Sequence, residues 1–241
     1  GDTQHFCSVE GRIKCLAIHQ ERSICAIGQE NAEQGIVIVD LKTLNYMTLC
    51  KSTAKGVHCL DFDESGRHLL ALGGNRLTIY DVDNEVVIAS TLTHATETLD
   101  VRFTTTANAL VEVGRNFVRL WFIKGSDMRF EEVDMSTMQN VSWRKRRLGT
   151  FQCRFVVVTC SQSNALLFLS PQPTTFYTCV GWIDNDLIVG SSTGDVIRFA
   201  GVTPISKIKA HTSKITNISS VAGGRFAISA ANSAKLYDSK C

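Results

Sequence analysis

Asp61, Asp63 and Glu64, in the run DFDESG, place three carboxylates close enough to share acid–base work or to hold a hard cation. They fall where one apolar run gives way to the next, and Asp-Glu-Ser-Gly is ordinary turn chemistry, so a turn is expected here. His19 lies at a predicted strand end and His58 within a predicted strand. Neither has metal-ligand spacing to a cysteine or carboxylate, and structural roles are expected for both. The chain contains no G-x-S-x-G elbow, no phosphate-binding G-x-x-x-x-G-K-[ST] loop and no G-x-G-x-x-G fingerprint. No catalytic residue, metal site or cofactor is expected. The chain does not read as an enzyme.

A second group with chemical potential is the run WRKRR, Trp143 followed by Arg144, Lys145, Arg146 and Arg147. Four adjacent cations cannot be buried without partners, so the run sits in a solvated loop or faces something acidic. Three readings stay open: a solvated loop alone, a contact for an acidic protein surface, and nuclear import or nucleic-acid backbone binding. The formal net charge of only +2 and the lack of interleaved aromatics argue against a dedicated nucleic-acid surface. Trp121 and Trp182 end apolar runs and are expected in the core, whereas Trp143, next to the cations, is a candidate partner contact.

The scaffold that positions these groups is bounded by composition. A chain of 241 residues with 44% hydrophobic content can bury a sizeable core, and a single domain over residues 1–241 is expected. No stretch approaches the roughly 18 uninterrupted apolar residues of a membrane span. The start, GDTQHFCSVEGRIKC, has neither methionine nor a signal-peptide pattern, and the chain reads as a piece of a longer protein. Of nine cysteines, Cys15, Cys25, Cys59, Cys160 and Cys179 lie inside apolar runs, and no C-x-x-C pair occurs. Buried free thiols in a reducing, intracellular compartment are expected, which would leave the sequons at Asn140 and Asn217 idle.

Short apolar or alternating runs rich in Val, Ile, Leu and Phe recur along the whole chain, separated by turn clusters, with only three prolines. No helical stripe of useful length stands out. The class is all-β. The runs also repeat in order: IVIVD ends at Asp40, LTIYD 41 residues later at Asp81, and VRLWF another 41 later at Phe122. Further equivalents end at Ser170, Ala200 and Asp238. In the second unit GVHCLDF and RHLLALG precede RLTIYD, and the weaker EVVIAST follows it. Between the second and third strands, GGN (Gly73 to Asn75) and STGD (Ser192 to Asp195) supply the positive-φ residues that hairpins require.

Four strands repeating at roughly 40–45 residues resemble the WD-repeat β-propeller family over nearly the full chain. About six to seven four-stranded antiparallel blades are expected. SPQPTTF (Ser170 to Phe176) is too short for an outer strand, so one blade is irregular there or the sequence lacks residues. The Trp-Asp signature is worn to Val39-Asp40, Tyr80-Asp81 and Tyr237-Asp238, and Gly-His to Ala210-His211 and Thr93-His94. The resemblance implies structural blade roles for Asp40, Asp81, Asp238, His94 and His211.

Within that family, ICAIGQENAEQGIVIVD and WIDNDLIVGSSTGDVIRFAG, with the KAHTSKITNISSVAGGRFAISAANSAKLYD that follows, are similar to echinoderm microtubule-associated-protein-like (EMAP-like) propellers and to ciliary and centriolar WD-repeat proteins. The resemblance implies a non-catalytic protein–protein scaffold in the cytoplasm, on the cytoskeleton, with tubulin, axonemal or centriolar partners. The alternative is a WD-repeat adaptor in a nuclear or ribonucleoprotein assembly. In the repeat frame, NVSW (Asn140 to Trp143) is a first strand and CRFVVVTC (Cys153 to Cys160) a second. That places the basic run in the loop between them.

Overall fold

β-branched and aliphatic runs of four to eight residues, bounded by Gly, Asn and Asp, become strands in the computed structural model of the chain. The structure describes residues 9, 11–30, 35–49, 56–93, 98–105, 108–133, 135, 176–183, 185–201, 203–221 and 225–238. Among them every regular element is a strand, and no helix is long and apolar enough to cross a membrane. The first sheet is β1 (Arg12–His19), β2 (Ile24–Glu30), β3 (Ile36–Asp40) and β4 (Tyr46–Leu49). The second is β5 (Val57–Phe62), β6 (His68–Gly73), β7 (Arg76–Asp81) and β8 (Val86–Leu92). The third is β9 (Thr98–Phe103), β10 (Ala109–Gly114), β11 (Phe117–Lys124) and β12 (Asp127–Glu132). The fourth is β13 (Tyr177–Ile183), β14 (Asp186–Ser191), β15 (Asp195–Ala200) and β16 (Thr203–Lys209). The fifth is β17 (Ile215–Val221), β18 (Arg225–Ala230) and β19 (Ser233–Asp238).

Each sheet is an up-and-down meander in chain order. The described residues thus form five sheets, against the six to seven blades expected from sequence. The runs assigned to a further unit, Asn140 to Trp143, Cys153 to Cys160 and the one ending at Ser170, lie outside the described residues. The chain divides into two compact units, Gly1–Glu112 with Trp121–Phe130, and Val113–Leu120 with Glu131–Cys241.

Inner strands read as unbroken apolar runs because both faces are covered. In β6 the side chains alternate between two cores. Leu69 and Ala71 join Ile36, Ile38 and Val57 in one cluster, while Leu70 and Leu72 join Val101, Leu110 and Trp121 in the next. In the second unit, Ile188, Val196, Ile215, Ile218 and Ile228 make the equivalent core between the fourth and fifth sheets. The outer strands β8, β12 and β16 are mostly exposed or half-buried; β12 and β16 carry charged side chains, whereas β8 leaves Val86, Val87 and Leu92 exposed.

One irregularity recurs. The register against the second strand shifts in β1 between Ile13 and Cys15, in β5 between Val57 and Cys59, in β13 between Tyr177 and Cys179, and in β17 between Ile215 and Asn217. Each shift is a bulge that bends the strand at the same point of the repeat. Opposite it, Gly28 faces Cys15 and Gly190 faces Cys179. A Cβ at Gly190 would lie 2.7 Å from both Cys179 Sγ and Ile215 Cγ2, so glycine is what lets the neighbouring sheet approach this closely.

Candidate partner-binding site

The DFDESG segment becomes the end of β5 and a braced hairpin loop. Asp63 Oδ1 accepts the His68 backbone N–H at 3.0 Å, and Oδ2 accepts from Ser65 Oγ at 2.8 Å and His68 Nδ1 at 2.9 Å. Partial burial opposes ionisation of Asp63, but these bonds, the His68 backbone N–H foremost, outweigh it and hold the carboxyl below its usual range. His19 Nε2–H donates to the Glu64 carbonyl at 2.9 Å, and Arg22 ties the loop at the Gly66 carbonyl while also reaching Asp83 in the turn between β7 and β8. The turn expected here is what forms, and the Asp63 carboxylate is occupied in holding it.

Beside this loop the first unit contains a cavity of about 510 Å³. Its apolar walls are Ile79, Ile88, Phe103 and Ile123, and its rim carries Asp63 and Glu64. Ile79 belongs to the core shared by the second and third sheets, while Ile88, Phe103 and Ile123 pack on that core's outer side.

Asp61, the third carboxylate, points away from the turn. Its Oδ2 accepts the Phe103 backbone N–H at 2.8 Å, and its Oδ1 lies 3.3 Å from Arg102 Nη1. Arg102 Nε also reaches Asp100 Oδ1 at 3.3 Å, so one guanidinium serves two carboxylates. Burial pushes the Asp61 carboxyl up to about 6, with Arg102 and the Phe103 N–H opposing it only in part. The Cys59 thiol donates into the same cluster, to Asp100 Oδ1 at 3.2 Å, and burial raises its pKa well above the ordinary thiol value. Cys15 Sγ donates to the Val57 carbonyl of the next sheet at 3.6 Å, and burial pushes this thiol up to about 11. Cys15, Cys25, Cys59 and Cys179 are free thiols. Raised thiol pKa values make Cys15 and Cys59 poor nucleophiles.

The repeat's signature residues each make local bonds. Asp40 Oδ1 accepts the N–H groups of Lys42 and Thr43 at 2.8 and 2.9 Å, capping the turn after β3. Asp81 does the same after β7 for Asp83 and Asn84, at 3.1 and 3.0 Å, and also binds Arg67. Asp238 is exposed at the end of β19, in register with Arg225. His211 is buried; its Nε2–H donates to the Ile228 carbonyl at 3.1 Å, leaving Nδ1 to accept from the Ser233 hydroxyl at 3.1 Å. Trp121 is buried, as its apolar run implied, whereas Trp182 is only half-buried.

The sequence reading did not single out Glu112 or Arg102. Glu112 is completely buried and accepts from Trp121 Nε1 at 2.8 Å and from Thr98 Oγ1 at 2.5 Å. The available signal was a lone acid inside the apolar run ALVEVG, which has no place in a core without donors. For Arg102 the signal was its spacing: it stands 41 residues after Asp61, one repeat on. His94, Trp143, Arg144, Lys145, Arg146 and Arg147 lie outside the described residues, as does Cys160. Among the described residues, no three His, Cys, Asp or Glu side chains gather where they could hold a metal ion.

Successive antiparallel sheets of this kind, stacked through apolar faces, are the blades of a β-propeller. The comparison with solved structures gives the same fold. The chain is similar to the β-propeller domain in the crystal structure of Myceliophteria thermophila Cps50 (Swd1), with a TM-score of 0.69 and 14% identity. The match covers 92% of this chain and 64% of that one. No protein-family profile matches the chain.

Proposed function

We propose that this chain is a non-catalytic WD-repeat scaffold that holds protein partners on its loops and outer strands. We propose further that it works in the cytoplasm on microtubule, ciliary or centriolar assemblies. The observation that carries the scaffold reading is where the polar groups go. Asp61, Asp63, Asp81, Glu112 and His211 are each engaged in turns or in bonds between strands and sheets. The groups that could have done chemistry instead fix the positions of strands and loops. Sheets packed through apolar faces that offer loops and a cavity fit recognition.

The microtubule assignment draws on the resemblance to EMAP-like propellers and on the basic run at Arg144–Arg147, which would meet an acidic surface such as tubulin's. Co-sedimentation of the purified chain with stabilised microtubules, at low and physiological salt, tests it. Saturable pelleting that weakens with salt is expected. No pelleting at low salt would remove microtubules as the partner. The wider scaffold reading is tested by proximity labelling in cells, and would fail if no protein were enriched over a control of equal abundance.

A further inference from the structure

The cavity beside the β5–β6 loop combines features that specify an occupant. Its floor, Ile79, Ile88, Phe103 and Ile123, is the outer surface of a packed core, so it is apolar and pre-formed. At about 510 Å³ it lies within the ~300–1,000 Å³ range of ligand clefts and admits a large aliphatic side chain. Its rim carries two acids. Asp63 is held ionised by the bonds described above. Glu64 is exposed, and its carboxylate makes no ion pair among the described residues.

No lysine or arginine lines the cavity. Lys124 is adjacent in sequence to Ile123, but neighbouring residues of a strand face opposite ways, so it projects from the other face of β11. His68 is the one basic group at the wall, and its Nδ1–H is directed onto Asp63.

We infer that this cavity docks a segment of a partner protein in which a large aliphatic residue is followed by lysine or arginine. The aliphatic side chain enters between Ile79, Ile88, Phe103 and Ile123, and the cation lies against Glu64 and Asp63. Charge complementarity decides the choice. An acidic or phosphorylated segment would meet two carboxylates at the mouth, whereas a basic one meets carboxylates there, with His68, the one basic group at the wall, turned onto Asp63. The inference rests on the scaffold reading and gives it a partner chemistry.

The test uses the whole chain with isoleucine methyl labels, titrated with the capped peptide Gly-Ser-Leu-Arg-Lys-Ser-Gly. The methyl signals of Ile79, Ile88 and Ile123 are expected to shift saturably, while that of Ile38, in another core cluster, stays in place and reports an intact fold. Replacing Leu by Ser, or Arg-Lys by Glu-Glu, should abolish the shifts. Glu64→Lys should weaken binding by about three- to tenfold at low salt, the effect of reversing one exposed charge. The inference is overturned if the three methyls do not respond to the Leu-Arg-Lys peptide, or respond equally to its acidic counterpart. Its failure is distinguishable from that of the scaffold reading: partners captured in cells with silent pocket methyls sink only the cavity, while responsive methyls with no cellular partner sink the scaffold.

Discussion

Asp61 and Arg102 hold the same place on successive first strands, β5 and β9, and pair at 3.3 Å from one sheet to the next. One repeat position therefore carries opposite charges in neighbouring sheets. Two residues earlier in the same strands, Cys59 and Asp100 pair in the same way at 3.2 Å. Apolar faces alone tolerate sliding, whereas these polar pairs fix how the second sheet sits on the third.

The Asp61 carboxyl gives stability a definite pH dependence. Folding raises its pKa from 3.8 to about 6, so the folded state binds this proton more tightly than the unfolded chain. Stability from this group is fully present below pH 4 and is lost as the pH rises through 6. The loss is at most about 3 kcal/mol, and about 1–3 kcal/mol is expected after relaxation. Asp63 and Asp195, whose pKa values are lowered, act in the opposite sense: their stabilisation is present above the usual carboxylate range and fades in acid. Urea midpoints for the parent and for Asp61→Asn at pH 4, 5, 6 and 7 separate the two. The variant should gain on the parent from pH 4 to 6 and then run parallel. A difference that does not change with pH would refute the assignment.

Close approach of sheets at glycine can be tested by paired substitution. Gly28→Ala drives a methyl into Cys15 Sγ and towards Val57 and Leu60, at a cost of about 1–3 kcal/mol. Cys15→Ala in the same chain should recover much of that loss, because the obstacle is a side chain. Gly194→Ala should have no such rescue. Its φ is +85°, and the new methyl meets the carbonyl oxygens of His211 and Ser213, which are main chain. Thermal unfolding of Gly28→Ala, Gly194→Ala and the Gly28–Cys15 double variant makes the comparison.

Much of the fold was legible because it depends on patterns that repeat. In β5 to β8, periodic apolar runs separated by Gly-Gly-Asn and Asp-Glu-Ser-Gly gave strand order and bounds to within a residue or two. The site was less legible, because its polar bonds join residues one repeat apart and differ in chemistry from blade to blade. Nothing in TLDVRF alone says that Arg102 answers Asp61, and Glu112 looks out of place until Trp121 and Thr98 are beside it. The cavity could not be read from sequence either, since its wall residues come from five strands and the loops between them.

The Glu112–Trp121 bond should couple strongly, since it lies inside the core. Trp121→Phe leaves the ring's packing largely in place but removes a donor from a completely buried carboxylate, which should cost about 2–4 kcal/mol. Glu112→Leu in the Trp121→Phe chain should restore part of the loss, because no buried carboxyl group then remains to lack that donor. A double-mutant cycle by urea unfolding is expected to give a coupling energy of about 1–3 kcal/mol. Additive effects would mean that the bond contributes nothing beyond packing.

The basic run supplies the last expectation. Arg144, Lys145, Arg146 and Arg147 are read from the sequence as a solvated loop between two strands. Replacing all four with Ser should therefore leave the unfolding midpoint close to that of the parent. If the loop meets tubulin, each exposed charge contributes only about 0.2–1 kcal/mol and the set roughly 1–3 kcal/mol. Microtubule affinity should then fall by about 5- to 150-fold at low salt. Exposed charges are screened over roughly 8–10 Å at physiological ionic strength, so parent and variant should converge as salt rises. Equal pelleting of the two chains at low salt would make this a loop without a partner. Single-stranded RNA, titrated in parallel, distinguishes the remaining reading: RNA bound by the parent and lost in the variant would move the scaffold from the cytoskeleton to a ribonucleoprotein assembly.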